Sequence, residues 1–118
     1  MYYWICIRTD GSMGLFETGP NRTVSYPDFQ YLKSECVMEW AETVTIEYRG
    51  NRYMLLVDEE GKLTGKDINP VASMLYNSPF DLIMGDVAVL ACPSGEDMLY
   101  LAEAEGKSLF EQLKAVNL

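Results

Sequence analysis

The stretch that decides the fold is TVTIEYRGNRYMLLVDEEGKLTGKDINPVASMLY, residues 43–76. Apolar and polar residues alternate up to the Gly50-Asn51 pair, and a second strand-like run follows it. Two such runs separated by a Gly-containing pair predict a β-hairpin. An acidic turn comes next, and Asn69-Pro70 then marks a helix start, with Asn as the cap and Pro in the first turn. The stretch therefore predicts a hairpin followed by a helix.

The register of the hairpin is predicted from its loop. Gly50-Asn51 as a two-residue loop fits a type II′ turn, because Gly takes the first loop position. This register sets Arg49 opposite Arg52, which is an unfavourable pair of like charges. Three pairs then lie on one core-facing side: Tyr48 with Tyr53, Ile46 with Leu55, and Val44 with Val57.

The opposite side of the hairpin is half apolar. In the predicted register, Glu47 lies beside Met54 and Thr45 lies beside Leu56. A contiguous apolar patch left on the outside of a protein marks a contact surface. We therefore expect this outer face to be covered, and it is the predicted surface for a partner protein or for self-association as a homodimer.

Two other segments have strand character on both faces. Residues 2–9 and 87–92 are apolar at successive positions, which is typical of strands inside a sheet. A short strand over residues 14–18 is predicted between two Gly-containing turn signals. The sheet is therefore expected to contain the hairpin and these three strands.

Capping signals predict two helices in the middle of the chain. Ser25 and Asp28 form a capping box, in which each side chain bonds the other's backbone N–H, before a helix over residues 26–38. Asn69 caps a second helix over residues 69–77, which a following Ser-Pro pair ends.

A third helix is predicted near the C-terminus. Ser108 and Glu111 form another capping box, and Gly106 argues against an earlier helix start. The fold class is therefore α+β: a single domain over residues 1–118 with a mixed, mainly antiparallel sheet and a central hairpin. The first two helices are expected on one face of that sheet, and the C-terminal helix at an edge or on the same face.

The charge of the chain excludes some classes of partner. Eighteen Asp and Glu face nine Lys and Arg, which gives a net charge of −9. An acidic surface repels phosphate backbones and anionic membranes, so neither direct nucleic-acid binding nor membrane binding is expected. The three cysteines are far apart in the sequence and form no C-x-x-C pair, which fits a reducing, cytoplasmic location.

No residue pattern indicates catalysis or a cofactor. The chain contains no histidine, which removes the commonest general base and the Ser-His and Cys-His nucleophile pairs. The acidic turn at residues 58–62 lacks the alternating oxygen ligands of a calcium loop, so no metal is expected there. The sequence therefore predicts a protein that is not an enzyme and holds no cofactor.

Acidic residues are the candidate binding groups. No Lys or Arg interrupts residues 35–47, and three acids in succession follow the hairpin. Such surfaces attract protein partners with a basic surface. The predicted partner-binding residues are Glu35, Glu39, Glu42, Glu47, Asp58, Glu59 and Glu60.

The order of elements after Val37 resembles the family catalogued as domain of unknown function 3846. The resemblance rests on the hairpin–turn–helix run, on Gly85-Asp86 within IMGDVAVLA, and on the acidic GED at residues 95–97. It covers roughly the last two-thirds of the chain; members often have glycines before the hairpin, where this chain has Met-Glu-Trp. The resemblance implies no activity or ligand, but it implies a bacterial mobile element such as a phage or plasmid of Firmicutes.

Three functional hypotheses follow. The first is an inhibitor of a host nucleic-acid-binding defence protein, of anti-CRISPR or anti-restriction type, which acts through its acidic surface. The second is a small-ligand binding or sequestering module, in which Tyr48 and Tyr53 offer stacking surfaces. Another alternative is an accessory domain without enzymatic activity. The third hypothesis, kept only as a residual, is an enzyme with a cleft built around Asp58, Glu59 or Asp86.

Overall fold

Six β-strands and three α-helices make up the fold in the computed structural model, which describes residues 1–116. The α+β class is confirmed. The strands are β1 (Tyr2–Ile7), β2 (Met13–Gly19), β3 (Ala41–Tyr48), β4 (Asn51–Asp58), β5 (Val87–Ala91) and β6 (Leu101–Ala102); the helices are α1 (Tyr26–Glu35), α2 (Pro70–Tyr76) and α3 (Glu103–Lys114).

The strands form one sheet in the order β2-β1-β5-β4-β3, and β6 also pairs with β1. Every pair between these strands is antiparallel, so the predicted mixture with parallel strands is wrong for the part that the structure describes. The β3–β4 hairpin lies at one edge rather than at the centre, because β4 pairs on its other side with the fully buried β5. Strands apolar on both faces, β1 and β5, occupy the interior as predicted.

The sheet buries a hydrophobic cluster on each face. Helices α2 and α3 pack on one cluster, through Val71, Leu75 and Leu109 among others. Helix α1 packs on the other, through Leu32. The prediction that the first two helices share a face is therefore wrong. The physical reason is that the inner strands are apolar on both sides, and each side needs a cover.

The β4 half of the hairpin's outer face is covered within the chain. Leu56 is wholly buried and Met54 nearly so, and Leu56 belongs to the cluster that contains Leu32 and Met38. The predicted covering is confirmed for these apolar side chains of β4, whereas Thr43, Thr45 and Glu47 of β3 are exposed. Its apolar side chains are not a free surface, so the proposed partner or dimer surface does not lie there.

The hairpin turn lies one residue earlier than predicted. Arg49 and Gly50 both have positive φ, 49° and 84°, as a type I′ turn requires. Consequently Ile46 pairs with Tyr53 rather than with Leu55. The remaining pairs shift in the same sense: Val44 with Leu55, Glu42 with Val57, and Glu47 with Arg52 in place of the predicted Arg49–Arg52 pair. Because the shift is an even number of residues, the predicted core-facing side is unchanged.

Helix α1 ends at Glu35, three residues before its predicted end. Val37 adopts the left-handed conformation with φ 53°. The Met38 N–H donates to the Lys33 carbonyl at 3.0 Å, and the Val37 N–H donates to the Ser34 carbonyl at 3.1 Å. These two bonds form a Schellman motif, which satisfies the last helical carbonyls and stops the helix.

Helix α3 begins at Glu103, upstream of the predicted capping box at Ser108 and Glu111. Its first residue follows Ala102, whose side chain makes no cap. Gly106 is buried inside the helix, and a Cβ atom there would make van der Waals contact, at 3.4 Å, with the Cβ atoms of Leu101 and Tyr3. Gly106 therefore marks close packing rather than a helix boundary.

None of the helices within residues 1–116 has the length and apolar character needed to cross a bilayer.

Candidate binding surface

The acidic turn after β4 is held by Asp58. One carboxylate oxygen of Asp58 accepts the Glu60 backbone N–H at 2.9 Å, and the other forms an ion pair with the Lys66 ammonium. The Asp58 side chain is only 6% exposed. Lys66 also donates to the Val37 carbonyl, which ties the turn to the end of α1. Asp58 is thus a structural carboxylate more than a surface charge.

The same turn packs against the segment that precedes β5. A Cβ atom on Gly61 would lie 3.0 Å from the Met84 carbonyl oxygen, so only glycine fits this approach without a shift. Ile68 forms a β-bridge with Met84, and the Gly85 N–H donates to the Asp67 carbonyl at 2.8 Å. The acidic turn and residues 83–85 are therefore one packed unit.

Asn69 fixes this unit to the sheet and to α2. Its side-chain N–H groups donate to the carbonyls of Ile7 and Gly85, both at 2.9 Å. Its side-chain oxygen accepts the Ala72 N–H at 3.1 Å, which is the predicted N-cap of α2. Asn69 is wholly buried, and every polar atom of its amide group has a partner.

A small cavity opens between the hairpin, α2 and the loop after α2. Its volume is about 110 Å³. Val44, Val57 and Ile83 give it apolar walls. Four carboxylates and one ammonium also line it: Glu42, Asp58, Glu59 and Asp81, with Lys62. Lys62 forms an ion pair with Asp81, and Lys66 forms one with Asp58, so most of the negative charge at the cavity comes from Glu42 and Glu59.

An exposed apolar groove adjoins this cavity. Phe80 is 95% exposed, and Ile68 and Leu82 are about half exposed. The groove shares Leu82, Met84, Lys62 and Asp81 with the cavity. We call the two together the acidic–apolar surface, defined by Glu42, Glu59, Lys62, Ile68, Phe80, Asp81 and Leu82.

The structure brings together only part of the predicted acidic set. Glu42, Asp58 and Glu59 line one cavity, and Glu60 lies in the same turn. Glu47 lies at the other end of β3, opposite Arg52. Glu35 and Glu39 are exposed near the end of α1. Of the seven predicted residues, three therefore line the cavity directly.

Sequence reasoning missed the loop residues that complete this surface. Phe80, Asp81 and Leu82 follow the Ser78-Pro79 pair, which was interpreted only as a helix end. An aromatic residue directly after a helix-ending proline is the available signal, because no strand or helix pattern there gives it a position in the core. Within the described range, no group of three or more Cys, Asp or Glu side chains is placed to hold a metal ion.

Two buried thiols lie under helix α1. Cys6 and Cys36 belong to the same hydrophobic cluster, where each thiol shifts the pKa of the other. The hydrogen bond with Cys6 raises the pKa of the Cys36 thiol, and burial raises it further. The same hydrogen bond lowers the pKa of Cys6. Cys36 is therefore held as a neutral thiol, which is not the reactive form of cysteine.

Comparison with known proteins returned no matching family model, no matching curated protein and no matching solved structure. The resemblance to the family of domain of unknown function 3846 stays a prediction.

Proposed function

We propose that this chain is a non-catalytic binding protein whose acidic–apolar surface docks on a basic protein surface. The observation that carries the proposal is the convergence of Glu42, Glu59 and Asp81 around one cavity beside the exposed Phe80 ring. An apolar centre with a polar rim is the usual anatomy of a protein interface. Carboxylates at that rim favour a partner that presents Lys and Arg.

The partner that we propose is a host nucleic-acid-binding defence protein of restriction or CRISPR type, with the chain encoded by a bacterial mobile element. The net charge of −9 supports this class of partner, since channels that bind DNA are lined with basic residues. A folded protein with a carboxylate-rich surface is attracted to such a channel and competes with DNA for it. The predicted family resemblance supports the mobile-element setting.

The small-ligand hypothesis has less support. The cavity of about 110 Å³ is smaller than the roughly 300–1,000 Å³ of typical small-molecule sites. Tyr53, one of the two predicted stacking residues, is buried in the main hydrophobic cluster, and Tyr48 packs against it. The neighbouring apolar groove is larger, about 600 Å³, but it is open to solvent and does not enclose a small molecule, as is usual for surfaces that bind macromolecular partners.

Competition with DNA tests the proposal. Labelled DNA is bound to restriction nucleases and to CRISPR effector complexes, and its release by the purified chain is followed by fluorescence anisotropy. We expect release from at least one of these proteins at low salt, with a weaker effect at higher salt because exposed charges are screened. If the chain releases DNA from none of them at low salt, the proposed class of partner is wrong.

A matched pair of variants tests the surface. Glu42→Gln with Glu59→Gln removes two charges from the acidic–apolar surface, and we expect about tenfold weaker competition. Glu17→Gln with Glu96→Gln removes two charges from exposed positions elsewhere and should keep nearly full competition. Equal losses in both variants would mean that only net charge matters, and would overturn the assignment of the surface.

A further inference from the structure

Strand β3 forms an open edge of the sheet. The sheet order ends at β3, which pairs only with β4 among the strands described. Thr43, Thr45 and Glu47 are exposed along it. A strand edge presents unpaired N–H and C=O groups, which can bind another extended segment.

The backbone groups that face outward can be assigned from the hairpin pairing. In an antiparallel pair, every second residue bonds its partner strand and the others point away. Tyr48 and Asn51 flank the two-residue turn and form a hydrogen-bonded pair. At the other end of the hairpin, the Glu59 N–H donates to the Trp40 carbonyl at 2.9 Å, so the even-numbered residues of β3 bond to β4. The Arg52 carbonyl accepts from the Cys92 N–H, so the backbone groups of Arg52 face β5 and not β3. Glu47, which lies opposite Arg52, therefore has backbone groups that point away from β4. The outward groups of β3 are therefore those of Thr43, Thr45 and Glu47.

The two edges of the sheet differ in their protection. Edge strands are usually blunted by bulges, prolines or lysines. The β1–β2 ladder has a register irregularity at Tyr2 and Tyr3, and β2 ends at Gly19 with φ +136°. The β3–β4 ladder runs without interruption from Ala41 to Tyr48, and β3 contains no Pro and no Lys. The edge of β3 is thus regular enough to accept a strand along its length.

The charge at this edge selects the occupant. Glu42 and Glu47 lie towards opposite ends of β3 and on opposite faces, so both faces of an added strand would pass a carboxylate. A basic strand gains chiefly from Glu42, since Glu47 already lies opposite Arg52. A second copy of this chain would bring a second set of the same carboxylates and another net charge of −9. Charge therefore favours a segment rich in Lys and Arg from another protein.

We propose that the edge of β3 binds a basic segment of a partner protein in extended conformation, by strand addition. This inference rests on the proposed function and specifies how its partner docks. Glu42 and Val44 belong both to β3 and to the wall of the cavity. A strand added at this edge would therefore run beside the acidic–apolar surface, and its apolar residues can reach that surface.

Three eight-residue probe peptides test the proposal. The first alternates Lys and Val, the second has the same sequence with every other backbone nitrogen methylated, and the third alternates Glu and Val. We expect the Lys-Val peptide to bind the full chain, and the methylated peptide of equal charge to bind at least tenfold more weakly because it lacks donors for strand pairing. The Glu-Val peptide should not bind. Equal binding of the two Lys-Val peptides would overturn strand addition.

A substitution at the edge gives an independent test. Thr45→Pro removes an outward N–H that makes no bond in the β3–β4 ladder, and proline is tolerated at sheet edges. We expect it to weaken binding of the Lys-Val peptide at least tenfold, while Thr45→Val retains binding. Circular dichroism checks that both variants are folded. If Thr45→Pro is not folded, hydrogen exchange of the wild-type chain decides: the amides of Thr43, Thr45 and Glu47 must become protected when the peptide is added.

The outcomes separate this inference from the proposed function. If Glu42→Gln with Glu59→Gln weakens DNA competition but the peptide leaves the amides of β3 unprotected, strand addition is wrong and the proposed function stands. If the amides become protected but no defence protein releases DNA, strand addition stands and the proposed partner class is wrong. A dimer in sedimentation experiments that Thr45→Pro abolishes would overturn the basic occupant in favour of a second copy.

Discussion

The side-chain amide of Asn69 lies 2.9 Å from the carbonyl oxygen of Ile7, a residue 62 positions earlier at the end of β1. The same amide caps α2 and bonds the Gly85 carbonyl before β5. One buried side chain therefore joins two inner strands, a helix start and the unit that carries the acidic–apolar surface. The local sequence explains the cap, whereas the bonds to Ile7 and Gly85 depend on the tertiary fold.

Asn69→Ala is expected to lower the free energy of unfolding by about 3 kcal/mol or more. Loss of the cap costs about 1 kcal/mol, and each buried carbonyl left without a donor adds about 1–3 kcal/mol. Urea denaturation measures the change. Ser25→Ala, which removes the exposed cap of α1, should cost only about 1 kcal/mol. Equal costs for the two variants would show that the tertiary bonds of Asn69 contribute nothing.

Features encoded locally could be predicted from the sequence. The capping box of Ser25 and Asp28 and the cap by Asn69 form as expected, because each involves residues three apart. The core-facing side of the hairpin also follows from alternation alone. The turn itself was misplaced because Arg49 takes a positive φ that usually belongs to Asn, Asp or Gly.

Features set by long-range pairing could not be predicted. The hairpin was expected at the centre because its strands are regular, but the position of a strand in a sheet depends on its neighbours, and β5 is distant in sequence. The positions of helices on opposite faces likewise depend on which apolar faces remain uncovered. The candidate surface needed Phe80 and Asp81 from an irregular loop, where neither periodicity nor capping gives a signal.

Val37→Gly is expected to stabilise the chain by about 1 kcal/mol. A β-branched residue in the left-handed conformation is strained by roughly 1–2 kcal/mol, and the greater freedom of glycine in the unfolded chain offsets part of the gain. Val37 is 70% exposed, so little apolar burial is lost. Ser34→Gly, at an exposed helical position nearby, should destabilise the chain by about 0.5 kcal/mol. A thermal melt of Val37→Gly with no increase in Tm would contradict the assigned strain.

Lys66→Met is expected to destabilise the chain by about 2–3 kcal/mol. Asp58 is nearly buried, and without Lys66 its carboxylate has no opposite charge beside it. The double variant Asp58→Asn with Lys66→Met should recover at least 1 kcal/mol, because an asparagine can still accept the Glu60 N–H without a buried charge. A double-mutant cycle with a coupling energy near zero would mean that the ion pair is not a structural element of the turn.

Stability is expected to fall as the pH rises from about 10 towards 12, in part because of Tyr100. Burial, and after it the negative charge of Asp28, raise the pKa of the Tyr100 hydroxyl to about 12. The unfolded chain loses this proton near pH 10, whereas the folded chain retains it up to about pH 12. The contribution of Tyr100 to stability is therefore complete below pH 10 and is lost above it.

Urea denaturation of Tyr100→Phe between pH 8 and pH 11 measures this contribution. The variant should show a shallower loss of stability than the wild type, since phenylalanine has no proton to lose. The loss does not vanish, because the pKa values of Tyr53 and Cys36 are also raised, by burial of Tyr53 and by the hydrogen bond of Cys36 to Cys6. The loss of stability of Asp28→Asn with rising pH should lie between that of the wild type and that of Tyr100→Phe, because this variant removes the charge near Tyr100 but leaves Tyr100 buried. Identical pH profiles of stability for wild type and Tyr100→Phe would contradict the raised pKa of Tyr100. A hydroxyl whose pKa is higher in the folded than in the unfolded chain must make stability depend on pH.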